Sequence, residues 1–316
     1  MMRISIALAA LTFFAANAQA AEMKFYQLPS GSYPHDVAPA PDGTVWFSGQ
    51  QQGFAGRFDP ETGKLEKISL GNGAAPHGVI VGPDGKAWLT EGGQNAIARV
   101  DAKTREVKLF PLPAAFPGAN LNTLVFGKNG IVWFTGQSGV YGRVDSKTGK
   151  VEAWASPKGR GTYGITATPD GEIWYASLAG DHIAHVDPTS GQASVVDPPR
   201  KGVGPRRIWS DSKGMLWASF WHGGGIGRYD PVAKTWTTYP MPQSKSGTYS
   251  VYVDDQDRVW ATDWLANAIQ RFDPKTESYA TFPSDRKGAN VRQMLGRPGE
   301  AWGGESGTDR LVVIRD

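Results

Sequence analysis

Cysteine is absent from the 316 residues, which excludes disulfides, thiolate metal centres and a cysteine nucleophile. No phosphate-binding glycine loop, dinucleotide fingerprint or Ser/His/Asp nucleophile motif occurs either. An excess of one charge sign is also missing. With 33 basic and 30 acidic residues and no long basic run, the chain offers no electrostatic footprint for nucleic acid. The longest apolar run, Ile4 to Ala16, falls well short of the roughly 20 residues needed to cross a bilayer, so no stable membrane insertion is expected. That run follows Met1-Met2-Arg3 and precedes Ala18-Gln19-Ala20, the parts of a secretory signal peptide over residues 1–20. A periplasmic or secreted, monomeric protein is expected, with residues 21–316 as its mature part.

What the sequence has in abundance is tryptophan at a fixed interval. Trp46, Trp88, Trp133, Trp174, Trp217, Trp260 and Trp302 follow one another at gaps of 42, 45, 41, 43, 43 and 42 residues. A period of about 40–45 residues built of short strands is the mark of a β-propeller, one four-stranded blade per repeat. The fold class is therefore all-β, a seven-bladed β-propeller forming a single domain.

Each repeat reads as four strands. Two apolar runs flank a turn such as Pro83-Asp84-Gly85, where Pro presets φ and Gly accepts positive φ. A third strand ends in an aspartate, as in Gly142-Arg143-Val144-Asp145, whose carboxylate suits the amides of the next turn. The last repeat stops one strand short at Asp316, and Met23 to Pro29 resembles an outer strand. The N-terminal strand is expected to close the last blade.

Propeller sites lie where the innermost strands enter the channel, so equivalent positions are compared across repeats. Eleven residues before each Trp stand His35, His77, Asn122, Tyr163, Arg206 and Tyr249, with Arg292 one residue nearer in the seventh repeat. Three residues after each Trp stand Gly49, Glu91, Gly136, Ser177, Phe220, Asp263 and Glu305. A hairpin separates the two registers, which would bring Arg292, Glu305, His35, His77 and Glu91 into one polar cluster. His35, His77 and Glu91 are the catalytic candidates; Glu91, Glu305 and Asp263 are the metal candidates. Tyr163, Arg206, Tyr249 and Arg292 are the substrate-binding candidates, and the adjacent Arg206 and Arg207 would suit an anionic ligand. His182, His185 and His222 lie outside the ring register and read as structural. Asp254, Asp255 and Asp257 replace the Pro-Asp-Gly turn and read as a turn rather than a calcium loop.

Pro76-His77-Gly78-Val79, Trp88-Leu89-Thr90-Glu91 and Gln94-Asn95-Ala96-Ile97-Ala98-Arg99-Val100 resemble blades of the virginiamycin B lyase (streptogramin B lyase) family. Trp260-Ala261-Thr262-Asp263-Trp264 resembles a second family phrase with Asp where Glu is usual. The resemblance implies a metal-assisted elimination, with Mg²⁺, that opens the lactone of a cyclic peptide antibiotic and so confers antibiotic resistance. It also implies histidines from the Pro-His-Gly phrase and glutamates from the Trp-x-Thr-Glu phrase as working groups. A divalent cation could stabilise the enolate formed when a proton leaves the carbon next to an ester carbonyl. In the family the working His and Glu come mainly from late blades, whereas the late positions here are Arg206, Tyr249, Arg292, Asp263 and Glu305. Two alternatives stand beside this reading, a gluconolactonase-like metal-dependent lactone hydrolase and a non-catalytic propeller that binds a small molecule or protein.

Overall fold

The computed structural model describes residues 21–316; the expected signal peptide, residues 1–20, lies outside the described residues. Seven four-stranded antiparallel sheets follow one another in chain order. Blade one runs through Pro34–Pro39, Val45–Gly49, Phe54–Phe58 and Leu65–Ser69, innermost strand first. The inner strands of blades two to seven are Pro76–Val81, Leu121–Phe126, Thr162–Ala167, Pro205–Ser210, Thr248–Val253 and Val291–Arg297. The closing strand Glu22–Gln27 pairs with Arg310–Arg315 in blade seven, from Glu22 opposite Arg315 to Gln27 opposite Arg310. No described helix is long and apolar enough to cross a membrane.

The tryptophan period is a packing period. Six of the seven repeat tryptophans are at most 2% exposed and Trp174 is 7% exposed. Each stands in the second strand of its blade, and its ring fills the gap to a neighbouring blade: Trp88 joins Leu121, Leu124 and Phe134 of blade three in one apolar cluster. Removing one indole from water is worth roughly 4–6 kcal/mol, at ~25 cal/mol per Å² over about 150–250 Å². An arginine from the third strand lies over the exposed rim of the ring in several blades, as Arg99 over Trp88 and Arg228 over Trp217, both at 5.8 Å.

The turns follow the sequence chemistry. Asp59 Oδ1 accepts from the amides of Glu61 and Thr62 at 2.9 and 3.3 Å, and Asp101, Asp145, Asp187 and Asp230 repeat the arrangement. Gly85 and Gly171 take φ of 73° and 93° in their turns, a region closed to most side chains. Asp254 accepts the amides of Gln256 and Arg258 and the Trp260 indole, so the acidic run of blade six is a turn.

One irregularity recurs in every blade and positions the site. Pairing of the inner strand with the second strand slips by one residue, for example between Pro34 and Val37, Pro205 and Ile208, and Val291 and Met294. This bulge lets two consecutive residues face the channel instead of one.

Candidate functional site at the channel mouth

The bulged residues of seven blades make two stacked registers around the axis. The outer holds His35, His77, Asn122, Tyr163, Arg206, Tyr249 and Arg292; the inner holds Asp36, Gly78, Thr123, Gly164, Arg207, Ser250 and Gln293. A bulge leaves an unpaired amide that needs a partner. In blades one, two, three and five a hydroxyl two residues beyond the repeat Trp supplies it. Thr90 Oγ1 accepts from Gly78 N at 2.7 Å and donates to the Asn122 carbonyl of the next blade at 2.7 Å. Ser48 links Asp36 N to the His77 carbonyl, and Ser219 links Arg207 N to the Tyr249 carbonyl. Each of these blades is thus stapled to the next.

On the early-blade side His35 and His77 stand with ring centroids 3.9 Å apart, both 4% exposed. His35 Nδ1 lies 2.8 Å from Asp36 Oδ1, so it carries the hydrogen and Nε2 is left as the acceptor. His77 Nε2 accepts from the Asn122 amide at 3.0 Å. Burial, with the charges of Arg292, Arg207 and Arg206, holds His35 well below the usual histidine range; burial, His35 and the arginines do the same to His77 against the pull of Asp36. Both imidazoles are neutral at neutral pH.

The late-blade side is cationic and aromatic. Arg206 lies over the Tyr249 ring at 3.8 Å, the Tyr163 ring at 4.2 Å and Trp221 at 5.0 Å. Tyr249 stacks on Trp264 at 4.4 Å, and Arg292 Nη1 donates to its hydroxyl at 3.2 Å. Burial would raise the Tyr249 phenol, but Arg206, Arg207 and Arg292 outweigh it and bring it down to about 8; burial pushes Tyr163 up. Beneath them Arg207 crosses the channel to Asp36 of blade one, with Nη2 3.3 Å from Oδ2, and to Thr123 of blade three. A cavity of about 220 Å³ opens beside the ring between blades seven and one, lined by Tyr33, His35, Gln50, Gln51, Asn290 and Arg292 among others.

The carboxylates of the second register do not join this cluster. Glu91, Asp263 and Glu305 stand opposite Pro76, Thr248 and Val291, one strand further from the axis. Glu91 Oε1 accepts from the amides of Ala75 and Gly93, and Asp263 Oδ1 from those of Gly247, Leu265 and Ala266. Glu305 is held by Arg310, Ser284 and Thr308. The expected shared carboxylate site, with Glu91 and Glu305 against the histidines, is therefore not assembled: these side chains tie down the loops between blades. Among the described residues, the one group of three that could close on an ion is His35, Asp36 and His77, with ligand atoms within 4.8 Å. That set suits Mg²⁺ poorly. Two of its three ligand atoms are imidazole nitrogens where this hard cation prefers oxygen, Asp36 is already paired with Arg207, and three arginines face the space.

Asp36, Thr123, Trp221 and Trp264 are site residues that the register comparison missed. Asp36 pairs with Arg207 in the inner register, so the same one-residue step beyond the ring that reaches Arg207 also reaches Asp36. The remaining histidines are structural or peripheral: His182 is buried with Nδ1 3.0 Å from the Gly180 carbonyl, His185 pairs with Glu172, and His222 is exposed.

The family model for the virginiamycin B lyase family matches residues 64–316. The chain belongs to the virginiamycin B lyase family. Among solved structures, the selenomethionine-substituted virginiamycin B lyase from Staphylococcus aureus superposes with a TM-score of 0.86 at 21% identity, covering 94% of this chain and 99% of that one. A catalytically inactive histidine-to-alanine variant of the Staphylococcus aureus virginiamycin B lyase, with quinupristin, gives 0.86 at 22% identity over 94% and 99% of the two chains. A second propeller, YCF48 bound to D1 peptide, gives 0.74 at 15% identity over 93% and 97%. No curated protein matches the sequence. At these identities the virginiamycin B lyase structures share the seven-bladed architecture with this chain.

Proposed function

We propose that this is an exported, monomeric lyase of the virginiamycin B lyase family, opening a cyclic depsipeptide of the streptogramin B kind by elimination at the channel mouth. The observation that carries the reading is the neutral pair His35 and His77 beside Arg292 at an open cavity. Elimination next to an ester carbonyl needs a base unprotonated at neutral pH and a cation where the enolate oxygen forms. His35 Nε2, oriented by Asp36 through Nδ1, takes the proton from the α-carbon. Arg292 faces the carbonyl oxygen as charge collects on it. The β carbon–oxygen bond then breaks, its electron pair leaves with the lactone carboxylate, and a double bond remains. No water is consumed. Because the donor set suits Mg²⁺ poorly, no step is assigned to it.

Mass spectrometry of a streptogramin B compound incubated with the mature protein tests this. A linear product of unchanged mass, lost in His35→Ala, supports elimination. Gain of water would indicate a lactone hydrolase, a reading weakened by three carboxylates that do not converge. An intact substrate would favour a binding propeller, and the late blades, with arginine and tyrosine where a His and Glu pair is expected, give that second reading its support.

A further inference from the structure

Among the described residues, Arg206 and Arg292 have no charged partner. Arg207 has Asp36, but Arg206 donates only to the Tyr163 hydroxyl, and Arg292 only to Ser306 Oγ at 3.0 Å and the Tyr249 hydroxyl at 3.2 Å. Arg206 is 9% exposed and its Nε is buried with no hydrogen-bond partner. Hydroxyls and ring faces satisfy N–H groups without cancelling charge. With both histidines neutral, the two channel registers hold three arginines, Arg206, Arg207 and Arg292, against the single carboxylate of Asp36, a net excess of two positive charges. Buried charge of one sign is costly unless something neutralises it.

A divalent cation would enlarge that imbalance, whereas an anion relieves it. The planar fork of a guanidinium fits the two oxygens of a carboxylate better than a single point charge does. Arg292 lines the open cavity and Arg206 lies behind it across Tyr249, so a carboxylate entering from blade seven meets Arg292 and feels the charge of Arg206 through the ring. We propose that Arg292, backed by the charge of Arg206, seats a carboxylate group of the ligand, in place of the divalent cation that the family implies. The inference rests on the site proposed above and not on its elimination chemistry.

Tyr249 makes the seat proton-linked. It faces Arg206 and Arg207 from blade five, Arg292 from blade seven, Tyr163 from blade four and Asp36 from blade one. In the empty site its phenolate supplies part of the missing negative charge only above about pH 8. A bound carboxylate takes over that role and returns a proton to the phenol, so binding near pH 8 takes up protons.

Calorimetric titration of the mature protein with benzoate, and with benzamide as its neutral counterpart, tests the proposal at pH 8 in two buffers of different ionisation enthalpy. Benzoate should bind at least about tenfold more tightly than benzamide, equally with Mg²⁺ and with chelator. Arg292→Gln should weaken it about tenfold or more, and Tyr249→Phe should abolish proton uptake. Arg206 is packed between two rings and its removal threatens the fold, so the half-buried Arg292 carries the test, with near-ultraviolet circular dichroism as the folding control. Binding only with Mg²⁺, equal binding of benzamide, no proton uptake, or no binding by folded protein would each overturn the proposal. Inorganic phosphate binding more tightly than benzoate would overturn the carboxylate assignment. Benzoate binding without streptogramin opening would leave this seat standing and remove the lyase reading; chelator-sensitive opening without benzoate binding would do the reverse.

Discussion

Arg207 of blade five and Asp36 of blade one meet across the channel axis, with Nη2 3.3 Å from Oδ2, and both side chains are almost fully buried. The contact exists because each inner strand bulges at this level and turns a second residue inward. It joins blades that are not neighbours, so it fixes the ring across its diameter. Asp36→Ala leaves a guanidinium buried without its anion and should cost about 3–5 kcal/mol, read by urea denaturation. Asp36→Ala with Arg207→Met should recover most of that loss. A single mutant as stable as the parent would show that water already shields the pair.

The two ring histidines set an acid limit on stability. Their folded pKa values are lowered and the unfolded value is 6.5, so the unfolded chain binds more protons as pH falls. The stability gained by keeping them neutral is fully present above about 6.5 and is lost progressively below it, towards the depressed folded values. Denaturation midpoints at pH 7.5 and 5.5, values about one unit either side of an ordinary histidine, should therefore differ more for the parent than for His35→Gln with His77→Gln. An identical fall in the double variant would assign the acid sensitivity to other groups.

Thr90 isolates the hydroxyl staple. Thr90→Val keeps the shape but leaves the Gly78 amide and the Asn122 carbonyl unpaired in the interior. A loss of about 1–3 kcal/mol in urea denaturation is expected, with weaker ligand binding because Asn122, whose carbonyl loses its donor, also bonds His77. The equivalent position in blade four is Ala176, which makes no such bond, so Ala176→Ser should not destabilise by a comparable amount.

Much of this was legible in the sequence and some was not, for physical reasons. Tryptophan spacing yields seven blades because an indole in the second strand must reach a neighbouring blade at the same height each time. The outer ring from His35 to Arg292 is legible for the same reason, as a fixed offset from a fixed anchor. The carboxylates were misplaced because Glu91, Asp263 and Glu305 share a register with each other but not with the ring: in strands, one step across the sheet moves a side chain from the channel to the loop amides for Glu91 and Asp263, and to Arg310, Ser284 and Thr308 for Glu305. Nor does any local pattern announce the bulge, so Asp36 went unread and Arg207 read as a ligand contact beside Arg206, when the two pair to form the floor of the site.

Ring closure makes the last prediction. The closing strand covers the edge of Arg310–Arg315, Leu28 N donates to the Asp309 carbonyl, and the Asp309 carboxylate accepts the amides of Gly31 and Tyr33 at 2.8 and 2.7 Å. Phe25 and Tyr26 are half-buried and Leu28 is 3% exposed, so deleting residues 21–28 removes three apolar side chains from the interior. At about 1.5–3 kcal/mol each for full burial, the truncated protein should lose on the order of 5 kcal/mol. It should also expose an unpaired strand edge, and edges of that length invite pairing with a second copy. Size-exclusion chromatography with urea denaturation reads both effects. A truncated protein that stays monodisperse and as stable as the parent would mean that blade seven stands on three strands, and that the closing strand is an ornament of the ring rather than its lock.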